Sequence, residues 1–150
     1  MAPPSTPPPD EAHRRPEGAS DELVAAVGKV SEAFEWVERI RGRVFDVHQM
    51  MGRADFLFED AADALDAVGE HEHARLLRTE VVGRNVLQGR WTFQIVEEFD
   101  DCYYEPVREA ERSIRDALME GRRHVFEAEL KESRRTRGNP AHASRPDATG

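Results

Sequence analysis

Apolar residues recur three or four positions apart through residues 21–51, which is the spacing of one face of an α-helix. Ser20 precedes this stripe as a candidate N-cap, and Gly52 follows it as a candidate stop. We therefore predict one long helix that buries its apolar face. The stripe comprises Leu23, Val27, Val30, Phe34, Val37, Ile40, Val44, Val47 and Met51.

The stripe does not keep one heptad phase. Two series with four-three spacing overlap near residues 34–40, where Ala33 and Trp36 widen the apolar face. A two-stranded coiled coil holds one phase over several heptads. The widened face instead favours packing against more than one helix.

Shorter helical patterns cover residues 54–69 and 70–82, and they end at Gly69 and Gly83. The segment 83–91 (GRNVLQGRW) contains two glycines and no period, so we predict a loop. A fourth helix is expected from residue 92 to about residue 104. Pro106 fits the first turn of a fifth helix or the kink of a continuous one.

A second long apolar stripe is predicted to run to about Arg135. It comprises Val107, Ala110, Ile114, Leu118, Gly121, Val125 and Ala128. No strand-like alternation interrupts these patterns. The expected fold class is all-α, an antiparallel helical bundle of two long and two to three short helices. The bundle domain is expected at residues 21–137, between a disordered Pro-rich tail at 1–20 and a disordered tail at 138–150.

Charge narrows the range of partners. The net charge is −9, and residues 21–130 carry fourteen Lys and Arg against twenty-five Asp and Glu. An acidic body repels phosphates, so a nucleic-acid partner is not expected, although residues 131–150 are basic. No apolar run reaches the ~20 residues of a membrane span, and no secretory signal is recognisable. Cys102 is the single cysteine, which makes a cytoplasmic location the default expectation.

The densest group of acidic residues is the segment 97–105 (EEFDDCYYE). On a helix Glu97, Asp101 and Glu105 stack at four-residue intervals and repel one another, which favours a nearby cation. Arg90, Arg108 and Arg112 are the candidate partners in the same chain. We expect a solvated acidic face rather than a metal site, and we expect Cys102 on the apolar side of this helix.

Metal and catalytic motifs are poorly supported. A di-iron bundle needs two Glu-x-x-His motifs, and only Glu70 and His73 show this spacing. His48 and His124 are expected to be hydrogen-bonded packing residues. We therefore predict no catalytic residue, no metal ligand and no cofactor.

The loop at 83–91 is the candidate ligand site. Its side-chain donors lie beside the start of a helix, where a carboxylate or phosphate can bind. The alternative is that Val86, Leu87 and Trp91 plug the end of the bundle while the arginines pair with the acidic row of Glu97, Asp101 and Glu105. The candidate ligand-binding set comprises Arg84, Asn85, Arg90, Trp91, Glu97, Glu98 and Asp101.

Four segments carry a resemblance to known sequences: 83–87 (GRNVL), 89–94 (GRWTFQ), 97–101 (EEFDD) and 121–124 (GRRH). With these motifs, residues 20–137 resemble a family of small helical actinobacterial proteins with no assigned function. The resemblance implies a bacterial cytoplasmic setting and transfers no catalytic residue.

These patterns favour a non-catalytic helical interaction or scaffold protein that binds a protein partner or itself. The alternative is a protein that binds a small anionic ligand or a metal through the acidic row and the arginine-containing loop. A regulator that contacts nucleic acid through the basic C-terminal residues is the weakest of the three hypotheses.

Overall fold

A computed structural model describes residues 8–146, and it confirms the all-α fold class. Within this part of the chain no strand occurs, and five α-helices are present. They are α1 (Asp21–Ala67), α2 (His71–Glu80), α3 (Phe93–Phe99), α4 (Glu105–Met119) and α5 (Val125–Arg134). Of these described helices, none combines the length and the apolar character that crossing a bilayer requires.

Helix α1 is longer than predicted. It begins after Ser20, whose Oγ accepts a hydrogen bond from the Leu23 amide at 3.1 Å, so the predicted N-cap is confirmed. The predicted stop at Gly52 and the separate helix at 54–69 are wrong, because α1 continues to Ala67. Gly52 does not have the positive φ that ends a helix. Good helix formers follow it, and the helix propagates through the glycine.

The turns around α2 agree with the prediction. Gly69 (φ 87°) and Gly83 (φ 73°) both adopt the left-handed backbone conformation that glycine tolerates best. The predicted loop at 83–91 is also present. Its tip is a tight turn in which the backbones of Leu87 and Arg90 exchange hydrogen bonds of 3.1 and 3.0 Å.

Helices α3 and α4 form one continuous helical segment with an internal wide turn. Asp100–Tyr104 is a π-helical stretch between them, and Pro106 lies in the first turn of α4. The predicted single helix to Arg135 is wrong, because α4 ends at Met119. Positive φ angles at Glu120, Gly121 and His124 then redirect the chain into α5.

The described chain divides into two compact units. Unit 1 comprises residues 8–35 and 107–146, and unit 2 comprises residues 36–106. Unit 1 contains a hydrophobic core of four buried side chains, with Ala19 and Leu23 against it. The four are Val24, Val27, Met119 and Val125.

A residue that precedes α1 makes side-chain contacts within unit 1. Arg15 donates two hydrogen bonds of 2.6 Å to the Glu129 carboxylate of α5 and also contacts Asp21 at 2.8 Å. Residues 1–7 and 147–150 lie outside the described residues. The predictions of disorder at these positions therefore stay predictions. Arg15 therefore contacts α5 from outside the helices, and the domain boundary at residue 21 stays a prediction.

Unit 2 is held by small buried side chains and polar pairs. Ala62 of α1 and Ala74 of α2 are completely buried. Arg78 of α2 pairs with both Asp63 and Asp66 of α1. The Asp55 carboxylate accepts a 2.7 Å hydrogen bond from the Gly83 amide. The remaining buried apolar residues of unit 2 are Val37, Val96 and Tyr104.

Candidate functional site

The seven residues predicted to bind a ligand do not converge in a buried pocket. Six of them are exposed, and Trp91 is half-buried. The six exposed residues are Arg84, Asn85, Arg90, Glu97, Glu98 and Asp101. Their role in ligand binding stays a prediction.

Three of the loop residues form local hydrogen bonds or ion pairs. Arg90 Nε donates a 2.7 Å hydrogen bond to Glu98, which is the one pair that the structure forms within the predicted set. Arg84 lies 3.8 Å from the carboxylate of Glu80. The Trp91 amide donates to the Gln94 side chain of the first turn of α3 at 2.7 Å. Arg90 thus pairs within the acidic segment at 97–105, whereas Arg84 pairs with α2. Leu87 is 57% exposed, so its predicted role in plugging the end of the bundle is wrong.

The acidic segment at 97–105 does contribute one interaction that sequence reasoning missed. Asp100, in the π-helical stretch, accepts two hydrogen bonds from Arg41 of α1 at 2.8 and 3.0 Å. Because of these hydrogen bonds the pKa of Asp100 is lowered and the pKa of Arg41 is raised.

Tyr104 extends this contact to a second turn of α1. Its hydroxyl donates a 2.6 Å hydrogen bond to Glu38, and the Arg41 guanidinium lies 4.5 Å from the centre of its ring. The resulting cluster of Arg41, Asp100, Tyr104 and Glu38 joins α1 to the π-helical stretch. These contacts join side chains of the cluster to one another, so we interpret it as structural.

Two isolated residues differ from their predicted environments. Cys102 is exposed rather than on the apolar side of its helix, because the π-helical stretch changes the rotation of the side chains that follow Asp100. The Nδ1 atom of His48, which was expected to be a hydrogen-bonded packing residue, is buried and has no hydrogen-bond partner among the described residues.

A possible metal-ligand group lies in unit 1. Donor atoms of Glu35, His124 and Glu127 all lie within 4.8 Å of one another. One imidazole and two carboxylates suit a divalent transition metal. All three side chains are exposed, so water competes with any ion for them.

The most extensive unexplained feature is an exposed apolar face on α1 in unit 2. Five large apolar side chains follow one another along it. Their exposed fractions are 58% for Trp36, 45% for Ile40, 37% for Val47, 62% for Met50 and 49% for Leu57. Ile40, Val47 and Met51 were predicted to be buried, and this prediction is wrong.

Together with three smaller or charged residues, these five side chains form a single four-three series, which we name the α1 face. Each pair of steps advances seven residues, close to two helical turns, so all members lie on one side of the helix. The series consists of Trp36, Ile40, Arg43, Val47, Met50, Ala54, Leu57 and Ala61.

Sequence reasoning missed this series although its signal is present. The predicted stripe counted from Ala33 through Val37 and Val44, and those two valines do turn towards the interior of unit 2. The α1 face begins at Trp36, one position earlier, and keeps its phase for more than three heptads. A count that started at the tryptophan detects a coiled-coil pattern.

The surroundings of the α1 face leave room for a partner. The first turns of the α1 face form an open surface that includes Trp36, Arg39, Ile40, Arg43 and Asp46. Arg39 stacks on the Trp36 ring at 4.7 Å, and Arg43 pairs with Asp46 at 3.0 Å. Arg39 thus covers part of the Trp36 ring, and the large apolar side chains of the α1 face nevertheless stay largely exposed.

The fold and this surface define the class as an all-α helical protein with an uncovered helix face. Comparisons of the chain with protein-family models, with curated proteins and with solved structures find no match.

Proposed function

We propose that this protein is a non-catalytic helical interaction protein that associates with a second copy of itself through the α1 face. The observation that carries the proposal is the row of five exposed large apolar side chains at coiled-coil spacing. Contiguous exposed apolar patches on folded proteins mark interaction surfaces far more often than isolated apolar residues do.

The helical spacing of the α1 face also indicates that its binding partner is a helix. A four-three series forms holes between its side chains that accept side chains from another helix. The α1 face is more than three heptads long, which is enough for a specific helix pair. The same chain supplies a helix of this length and pattern in every copy, so self-association needs no further protein.

The ligand-binding alternative has less support. Its predicted residues lie in local pairs or in solvent, and the exposed group of Glu35, His124 and Glu127 has no buried environment to exclude water. The bacterial and cytoplasmic setting suggested by the sequence resemblance remains part of this proposal.

The proposal is tested by light scattering of the full chain across a wide range of protein concentration. We expect a mass of twice 17.0 kDa for the unsubstituted protein. Met50→Glu places a charge in the middle of the α1 face and should yield a monomer, because burying an unpaired carboxylate is costly. Circular dichroism should show unchanged helicity, since Met50 is exposed in the single chain.

Leu76→Glu is the matched control. Leu76 is an exposed apolar residue of α2 (55% exposed), outside the α1 face. This variant should keep the dimer mass. A monomeric unsubstituted protein at every concentration would contradict the proposal, and so would equal loss of association in both variants.

A further inference from the structure

The α1 face contains residues that distinguish the two directions in which a second α1 can lie. In a parallel pair each core position faces the same position of the second copy. Arg43 would then meet Arg43, and two guanidinium groups would be buried side by side. Trp36 would also meet Trp36. A parallel pair is therefore disfavoured by repulsion between the two Arg43 side chains and by the size of the two Trp36 side chains.

We propose that two copies pair antiparallel through residues 36–61 of α1, which rests on the proposed function. In this arrangement position 36 lies opposite position 61 of the second copy, 40 opposite 57, 43 opposite 54, and 47 opposite 50. Trp36 then faces Ala61, and Arg43 faces Ala54. At both layers a large side chain meets a small one, as close helix packing requires.

The charged edge of the α1 face gives an independent reason for the same direction. Four charged residues immediately precede the core positions 40, 47, 54 and 61, and they are Arg39, Asp46, Arg53 and Asp60. In antiparallel coiled coils these flanking positions meet one another across the interface. Arg39 pairs with Asp60 of the second copy, and Asp46 pairs with Arg53.

All contacts along this edge join opposite charges. The two-fold symmetry repeats each pair, so the interface contains four such contacts. In a parallel pair the same residues would face the other edge of the helix, where Val44, Met51 and Phe58 carry no charge. Exposed ion pairs contribute little affinity each, and their main effect is to fix the direction of the partner.

Length and exposure agree with this pairing. Residues 36–61 extend over about 38 Å at about 1.5 Å per residue, which is nearly four heptads. Arg39, Arg53 and Asp60 are exposed in the single chain and Asp46 is half-buried, so they can form these contacts without unfolding. Asp46 would exchange its pairing with Arg43 for one with Arg53 of the second copy. Met51 and Phe58, which are 40% and 43% exposed, widen the covered surface on the opposite edge.

Cysteine cross-linking tests the direction. In a Cys102→Ser background, one tagged chain carries Ile40→Cys and an untagged chain carries Leu57→Cys. After mixing and mild oxidation we expect the disulfide between residues 40 and 57 of different chains. Disulfides that join 40 to 40 and 57 to 57 would overturn the antiparallel arrangement. Gln49→Cys, on the far side of α1, should give no cross-link.

A charge exchange tests the register. Arg39→Asp alone and Asp60→Arg alone each create two like-charge contacts and should raise the dissociation constant roughly tenfold. The double variant restores opposite charges, and its dissociation constant should return to within about twofold of the original. Additive weakening in the double variant would overturn the register.

The outcomes separate the two proposals. A dimer that shows parallel cross-links, or no charge rescue, contradicts the antiparallel arrangement and leaves self-association intact. A chain that stays monomeric at all concentrations contradicts the proposed function itself. Both sets of variants alter exposed or half-buried side chains, so circular dichroism should confirm that each variant retains its helical fold.

Discussion

The two halves of α1 have similar apolar spacing and opposite environments. In residues 21–35, Val24 and Val27 are buried against Met119 and Val125 of unit 1. In residues 36–61, the α1 face remains exposed. Helical periodicity predicts that an apolar face will be covered, and it does not identify the molecule that covers it.

The two units also differ in how their helices are held together. Unit 1 has a cluster of four buried apolar side chains. Unit 2 relies on the buried alanines Ala62 and Ala74 and on charged pairs such as Arg41 with Asp100. Because unit 2 buries few large side chains of its own, a second copy on the α1 face would contribute a larger share of its apolar burial.

The largest expected effect is on stability, and it compares a side chain in the core of unit 1 with one on the α1 face. Met119 is 1% exposed, and Met119→Ala should lower the free energy of unfolding by about 2–5 kcal/mol because it leaves a cavity. Met50 is 62% exposed, so Met50→Ala should change the unfolding free energy of dilute protein by less than about 0.5 kcal/mol. Urea unfolding at low protein concentration measures both. Equal losses of unfolding free energy in the two variants would contradict a buried Met119 and an exposed Met50.

A smaller effect is expected at the start of α1. Ser20→Ala removes the acceptor of the Leu23 amide and should cost about 1 kcal/mol of stability. Ser113→Ala is the control, since Ser113 is an exposed residue inside α4 and alanine favours a helix. The cap is unimportant if the two variants have the same thermal midpoint.

Much of the fold could be predicted from the sequence because it depends on local patterns. The start of α1, the extent of α2 and the turns at Gly69 and Gly83 all follow from caps and glycines near the ends of apolar stripes. Gly52 and Gly121 show the limit of this reasoning. Gly52 adopts the helical backbone conformation, whereas Gly121 has a φ of 75°. The surrounding contacts, and not the residue type, determine which conformation a glycine adopts.

The site was harder to predict, for two physical reasons. The pairing of Asp100 with Arg41 joins residues far apart in the chain, and sequence spacing does not report such contacts. The α1 face overlaps the buried stripe, so which of the two series faces solvent depends on how α1 is rotated against the rest of unit 2. That rotation is set by tertiary packing rather than by local propensity.

Two glycines in the two halves of α1 offer a comparison of packing at the scale of one methyl group. An added Cβ at Gly42 meets nothing within 4 Å, whereas at Gly28 it would lie 3.2 Å from Cβ of Phe126. Gly42→Ala should stabilise the protein by up to about 1 kcal/mol through helix propensity. Gly28→Ala should stabilise it less or destabilise it, because Phe126 must move. Equal increases in thermal midpoint would show that α5 yields freely at Gly28.

The smallest expected effect concerns acid stability in unit 2. The pKa of Asp100 is below its ordinary value of 3.8 in the folded protein, chiefly because Arg41 donates hydrogen bonds to the carboxylate. A carboxyl group with a depressed folded pKa stabilises the fold above its unfolded pKa. This contribution is lost as the pH falls below about 4 towards the folded pKa.

Asp100→Asn should therefore lower the thermal midpoint near neutral pH and reduce the further fall of that midpoint below about pH 4. Asp101→Asn is the matched control, because this neighbouring carboxylate is exposed. The effect should be modest, since the side chains of Arg41 and Asp100 are 34% and 24% exposed and water screens part of their attraction. Identical pH profiles for the two variants would indicate that the pair contributes no more to unit 2 than an exposed carboxylate does.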